Sequence, residues 1–243
     1  MAKKKKQELA KREETEAPAY IDKGEEGLEN MTGEDLIIPR LVIMQAMSPA
    51  VEEGEHQKGE VINSLTDEVW IGIDEVEPFI PIYHFKEWIQ WAPRDSGGGI
   101  VDRSMDPSSE LAMSAKRGEK DEEGNRLVTE YHNFISVLRS QGFKKPCIIA
   151  CAKSNHKHGR KLLGLAKYRG NYPLYAGLYD MAAVKEENKQ GQKYFAWKFE
   201  NAGWVDEEEL EEAKAMYGVL AGMKWKDGGP QPEDEGEEEE SDV

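Results

Sequence analysis

Apolar residues fall into short groups of near period two, separated by polar and glycine-containing stretches, which is the pattern of a mainly β protein with a few helices. The first group is Leu36-Ile37-Ile38-Pro39-Arg40-Leu41-Val42-Ile43-Met44. Pro39 lacks a backbone donor, which predicts an extended or edge segment. Residues 76–91 carry the clearest strand pattern, and alternation puts Tyr83, Phe85, Ile89 and Trp91 on one face and His84, Lys86, Trp88 and Gln90 on the other. A loop over 92–99 follows. After it, a polar stretch, about 95–128, reads as a flexible insertion with at most one short helix.

Two further strands, 130–138 and 146–152, flank a hairpin-like turn at Gly142-Phe143-Lys144-Lys145. Ser154 or Asn155 is placed to cap a basic helix with Leu162, Leu163 and Ala166 on its apolar side and Lys157, Arg160, Lys161 and Lys167 toward water. Strand character resumes over 174–185, and 193–200 alternates so that Phe195, Trp197 and Phe199 share one face, assigned to the core. Asp206 then caps an amphipathic helix that has Glu207, Glu208 and Glu209 in its first turn. Leu210, Ala213, Met216, Tyr217 and Leu220 repeat along it at helical spacing.

The ends differ from the middle. Residues 1–30 are Lys/Glu-rich and apolar-poor and read as a disordered charged arm. Residues 31–225 form the folded domain, and 226–243 a disordered acidic tail in which 233–243 carry eight acids and no base. Nowhere does an apolar run approach the roughly 18–20 residues of a membrane helix. The lysines at the start lead into no apolar stretch of the secretory kind, so a cytoplasmic protein is expected. Two cysteines in 243 residues do not build a disulfide framework.

The net charge is −16, which argues against a simple polyanion binder. Its distribution changes that picture. Residues 131–179 contain no Asp or Glu and nine cations: Arg139, Lys144, Lys145, Lys153, Lys157, Arg160, Lys161, Lys167 and Arg169. One reading is a strand and helix whose acidic partners come from elsewhere in the fold. The other is an electropositive face that meets a polyanion.

Enzyme signatures are missing: there is no P-loop, no Gly-x-Ser-x-Gly and no His-Glu-x-x-His. No cofactor is implied. Cys147, Cys151, His156 and His158 offer zinc-type donors in a short span, but the spacing is not that of a zinc knuckle. On a strand rising about 3.3 Å per residue, the two thiols sit roughly 13 Å apart, too far for one ion. Buried apolar thiols are the favoured reading. Aromatic residues interleaved with cations remain: Lys167-Tyr168-Arg169-Gly170-Asn171-Tyr172, together with Lys86, Trp88, Trp91 and Arg94 of the 83–94 segment. Single strands are held by base stacking on aromatics and by cations tracking phosphates. Stacking is assigned to Trp88, Tyr168 and Tyr172, each of which also has a core reading. Phosphate contacts are assigned to Lys153, Lys157, Arg160, Lys161, Lys167 and Arg169.

Asp35-Leu36-Ile37-Ile38-Pro39-Arg40-Leu41, Trp88-Ile89-Gln90-Trp91-Ala92-Pro93-Arg94, the hairpin over 188–205 with Phe195-Ala196-Trp197-Lys198-Phe199, and the acidic tail together resemble a bacteriophage single-stranded DNA-binding protein over residues 31–243. The resemblance implies an OB-type β-barrel that binds single-stranded DNA without sequence preference in phage replication or recombination, inside the host cytoplasm. It also implies a tail that recruits replication or recombination proteins or shields the binding face. This tail ends in Val243 and lacks the terminal aromatic residue of bacterial relatives. A homo-oligomer is compatible with this reading, and a membrane partner is not expected. The rival function is a non-enzymatic phage structural or assembly protein whose basic face meets an acidic protein partner.

Overall fold

The computed structural model describes residues 37–92, 99–121, 124–188, 191–226 and 229–231. The chain is mainly β. One sheet runs β1 (Arg40–Ile43), β2 (Val61–Asn63), β3 (Val69–Ile71), β4 (Glu77–Trp91), β5 (Ile100–Ser104), β6 (Val128–Leu138), β7 (Cys147–Ala152), β8 (Gly177–Glu187) and β9 (Lys193–Trp204). In space the order is β3-β2-β1-β7-β6-β4-β8-β9, with β5 beside the far end of β4. All neighbours are antiparallel except β1 and β7, which pair in parallel. Four helices decorate the sheet: α1 (Pro49–Glu52), α2 (Glu110–Arg117), α3 (His156–Tyr168) and α4 (Glu207–Gly222). A short ribbon, β10 (Lys224–Lys226) with β11 (Gly229–Gln231), follows α4, so part of the segment expected to be disordered pairs its backbone.

β1 corrects the expected edge position. Pro39 lies one residue before the strand, where its missing donor costs nothing, and its carbonyl accepts the Ile148 N–H at 2.8 Å. The strand proper is flanked on both sides. β4 holds two prolines by the same logic of position: a register shift falls between Pro81 and Tyr83, where the absent N–H would otherwise leave a gap in the ladder with β6.

The sheet curls into a half-barrel, and side chains from beyond β1, β7 and α3 reach its β9 edge. The Gln45 amide, just past β1, donates to the Phe195 carbonyl and accepts the Phe195 N–H, each at 2.9 Å. It stands in for a missing strand residue. Asn155 Oδ1 accepts the Trp197 N–H at 2.8 Å, and the Arg169 guanidinium donates to the Gly203 carbonyl. The open edge of β9 is thereby covered at three places. Ser154 or Asn155 was expected to cap α3; Asn155 holds the cap position, but its side chain makes no capping bond and serves the strand edge instead.

The inner face is packed by Phe79, Phe134, Ile149, Tyr179, Met181, Trp197, Phe199 and, from α3, Leu162. Trp197 and Phe199 are buried as expected, and Phe195 is partly buried against the same cluster. The outer face carries Ile80, Ile82, Phe85, Ile135 and Val137 under Ala213 and Leu220 of α4. α4 begins at Asp206 with a full capping box, Glu209 N–H to Asp206 Oδ1 at 2.9 Å and Asp206 N–H to Glu209 Oε2 at 3.1 Å. A third cluster joins Trp88 and Val128 to Leu111 and Ala112 of α2. Thus the segment read as a flexible insertion supplies a strand as well as the one expected helix, and that helix covers the end of β4 and β6.

Candidate nucleic-acid interface

Helix α3 packs across β9, β7 and β6 and is tied down at both ends. At its start, the Lys157 ammonium meets Glu186 Oε2 at 2.7 Å and His158 Nε2 lies 3.3 Å from the same carboxylate. The Lys157 hydrogen bond holds the Glu186 carboxyl below the usual carboxylate range. Just past its end, Arg169 donates to the carbonyls of Gly203 and, at 2.9 Å, Leu178. Its guanidinium also lies 4.5 Å from the Tyr179 ring centre and 4.8 Å from that of Trp204. These anchors, with Leu162 in the core, turn a basic face of the helix outward.

That outer face carries Arg160, Lys161, Lys167 and Tyr168, all exposed. Arg160, Lys161, Lys167 and Lys153 make no ion pair among the described residues. Lys153 sits at φ 48°, in the left-handed region, where β7 breaks into a 3-10 turn before α3. Tyr168 is 96% exposed. Beyond it, Tyr172 and Trp204, 63% and 51% exposed, meet edge to face with ring centres 5.0 Å apart. Trp204 thus lies on the Arg169 anchor with Tyr172 against it, and Tyr168 is the last residue of the helix that carries the cations. Exposed rings beside cations have the make-up of a stacking platform.

The predicted residues divide accordingly. Lys153, Arg160, Lys161, Lys167, Tyr168 and Tyr172 sit where a strand could reach them. Lys157 is held by Glu186, and Lys86 by Glu130 at 2.6 Å, so both have acidic partners from outside the acid-free window. Arg139 likewise is held by Glu209. Arg169 corrects its phosphate-contact expectation: its donors go to backbone carbonyls and its faces to rings, which makes it an internal clamp. Trp88 corrects its stacking expectation, because at 3% exposure, under α2, it offers no face to a base. Trp91 is partly exposed and lines a cavity of about 310 Å³ with Arg40, Arg103 and Tyr131. Both arginines turn toward the one buried carboxylate of Glu87, at 3.4 and 3.7 Å. Arg94 lies outside the described residues.

Trp204 was missed. Its signal in the sequence is an aromatic residue directly after Gly203, between a strand and a helix cap, where core packing has little use for an indole. The Cys/His candidates are not brought together as a set. Cys147 and Cys151 are fully buried and reduced, with burial pushing both thiols well up. His158 is turned to Glu186, while His156 lies with Glu130 and His132.

Among the described residues, no helix is long and apolar enough to cross a membrane. Neither the curated proteins nor the solved structures searched include a match to the chain. A family model described as Pam3 phage gp34-like protein matches residues 4–226, nearly the whole chain, and the protein therefore belongs to this phage family.

Proposed function

We propose that the protein binds single-stranded DNA without sequence preference during phage replication or recombination, and that its half-barrel is of the OB type. One observation carries the reading: Tyr168, Tyr172 and Trp204 are exposed together at the end of a helix whose Arg160, Lys161 and Lys167 have no acidic partner among the described residues. Bases stack on the rings and phosphates follow the helix. No catalytic step is assigned; the protein acts by binding. The acidic stretch 233–243, which lies outside the described residues, competes with phosphates for the same cations at high effective concentration, or recruits replication proteins.

The test is anisotropy of a labelled thymidine oligonucleotide titrated with the full chain at several salt concentrations, with duplex of equal length as competitor. Salt-dependent binding that the duplex competes for poorly supports the reading. Absence of binding, with the acidic stretch present or removed, overturns it and leaves the basic helix as a surface for an acidic protein.

A further inference from the structure

We propose that Glu130, His132 and His156 form a binding site for a divalent transition-metal ion of the zinc class. The residues come from two elements, β6 and the first turn of α3, and they meet because α3 approaches the sheet unusually closely at Gly159. A Cβ at that position would lie 2.8 Å from the Cys151 Cβ and 3.0 Å from the His132 Cβ. Only a glycine lets the helix settle there, and this seats the His156 ring over His132 with centres 4.7 Å apart.

The donor atoms are already gathered. One ligand atom from each of the three residues lies within 4.8 Å of the others, and His156 Nε2 is 3.6 Å from Glu130 Oε2. A tetrahedral ion with bonds of about 2.0–2.1 Å sets its ligands roughly 3.3–3.5 Å apart, so the donors draw together by up to about 1.4 Å on binding. His132 is 3% exposed, and its Nε2 has no hydrogen-bond partner; neither has His156 Nε2. Two ring nitrogens left without partners side by side, one of them on a buried histidine, is an arrangement that a shared cation resolves.

The surroundings orient the donors as metal sites require. His132 Nδ1 lies 3.0 Å from His84 Nε2; with the proton on Nδ1 donated to His84, the His132 Nε2 lone pair is left for the ion. Lys86 holds Glu130 by Oε1 at 2.6 Å, leaving Oε2 turned to His156. The Lys86 side chain is 43% exposed, so water screens its charge from the ion. Two imidazoles and one carboxylate favour zinc and its neighbours over magnesium or calcium, which demand more oxygen ligands. Three protein ligands leave one coordination position for water or a bound group.

Zinc alone, with magnesium as the hard-cation control, is the probe. The full untagged chain, stripped with chelator, is dialysed against micromolar free zinc, and bound metal is measured by elemental analysis beside thermal melts. The expected result is one zinc per chain, no retained magnesium, and a melting temperature raised by zinc. His156→Gln and Glu130→Gln, at partly exposed positions, keep the metal-free melting temperature and lose at least tenfold in zinc affinity. Cys151→Ser, although adjacent to His132, keeps it. Failure of the wild-type chain to retain zinc, or equal retention by His156→Gln, overturns the proposal.

Discussion

Of the cations predicted to touch phosphate, Lys153, Arg160, Lys161 and Lys167 have no ion pair among the described residues, while Lys157 is occupied by Glu186 and Arg169 by carbonyls. Single-strand binding releases about 0.7 counterion per phosphate neutralised. Four unpaired cations therefore give a slope of about −3 for log affinity against log salt, a loss of roughly 50-fold between 50 and 200 mM. Replacing Arg160, Lys161 and Lys167 together by Gln removes about 2 from that slope, leaving a loss of roughly threefold over the same range. The three side chains are exposed on the outer face of α3, so the variant keeps its fold. Lys157→Gln, by contrast, leaves the slope as it was. Anisotropy titrations on a thymidine oligonucleotide at five salt concentrations measure all three proteins. A triple variant with the wild-type slope, or a Lys157→Gln protein whose slope falls as much as one third of the triple variant's, refutes the assignment of phosphate contacts to the unpaired cations.

Tyr168→Ala removes a ring that packs on almost nothing, so the melting temperature stays put while single-strand binding weakens by about 1–3 kcal/mol; a change in stability with no change in binding would show a packing role instead. Gln45→Ala deletes both bonds that tie the β9 edge to the chain beyond β1, costing about 2–3 kcal/mol in urea unfolding and roughly 5–10 °C in melting temperature. A cost below about 0.5 kcal/mol means the barrel does not depend on that tie. Trp88→Phe leaves strand affinity within twofold because the indole is buried, whereas Trp88→Ala destabilises by about 3–5 kcal/mol; tenfold weaker DNA binding by the folded Phe variant would restore the stacking role. The Arg139 hydrogen bond holds the Glu209 carboxyl below its ordinary value. The folded chain thus keeps that proton off longer than the unfolded one, and the stability gained is complete above the unfolded pKa of about 4.5 and disappears as pH falls through the folded value. The urea stability difference between wild type and Glu209→Gln should shrink from pH 7 to pH 3, and a pH-independent difference contradicts the linkage.

Local signals were legible and long-range ones were not. The α4 cap and helical repeat, the β6–β7 hairpin and the buried face of Trp197 and Phe199 follow from spacing alone. Of the two readings for the segment around Pro39, extended or edge, the edge one failed because a proline reports only on its own backbone, and the parallel partner β7 is about a hundred residues away. Trp88 looked available because its cover, Leu111 and Ala112, comes from a segment too polar and glycine-rich to suggest packing. Of the proposed interface, the basic helix and its two tyrosines could be read directly. Which cations were already paired could not, since Glu186, Glu130 and Glu209 reach them from other parts of the chain. The closeness of His132 to His156 was equally hidden, because it depends on Gly159 letting a helix down onto a strand.

Photocrosslinking tests the central claim most directly. A thymidine oligonucleotide carrying 5-iodouracil is irradiated with the full chain, and the adducts are located by peptide mass spectrometry. The account predicts adducts at Tyr168, Tyr172 and Trp204, suppressed by unlabelled single strand and little affected by duplex. Adducts confined to other parts of the chain, or none at all at saturating protein, would contradict it.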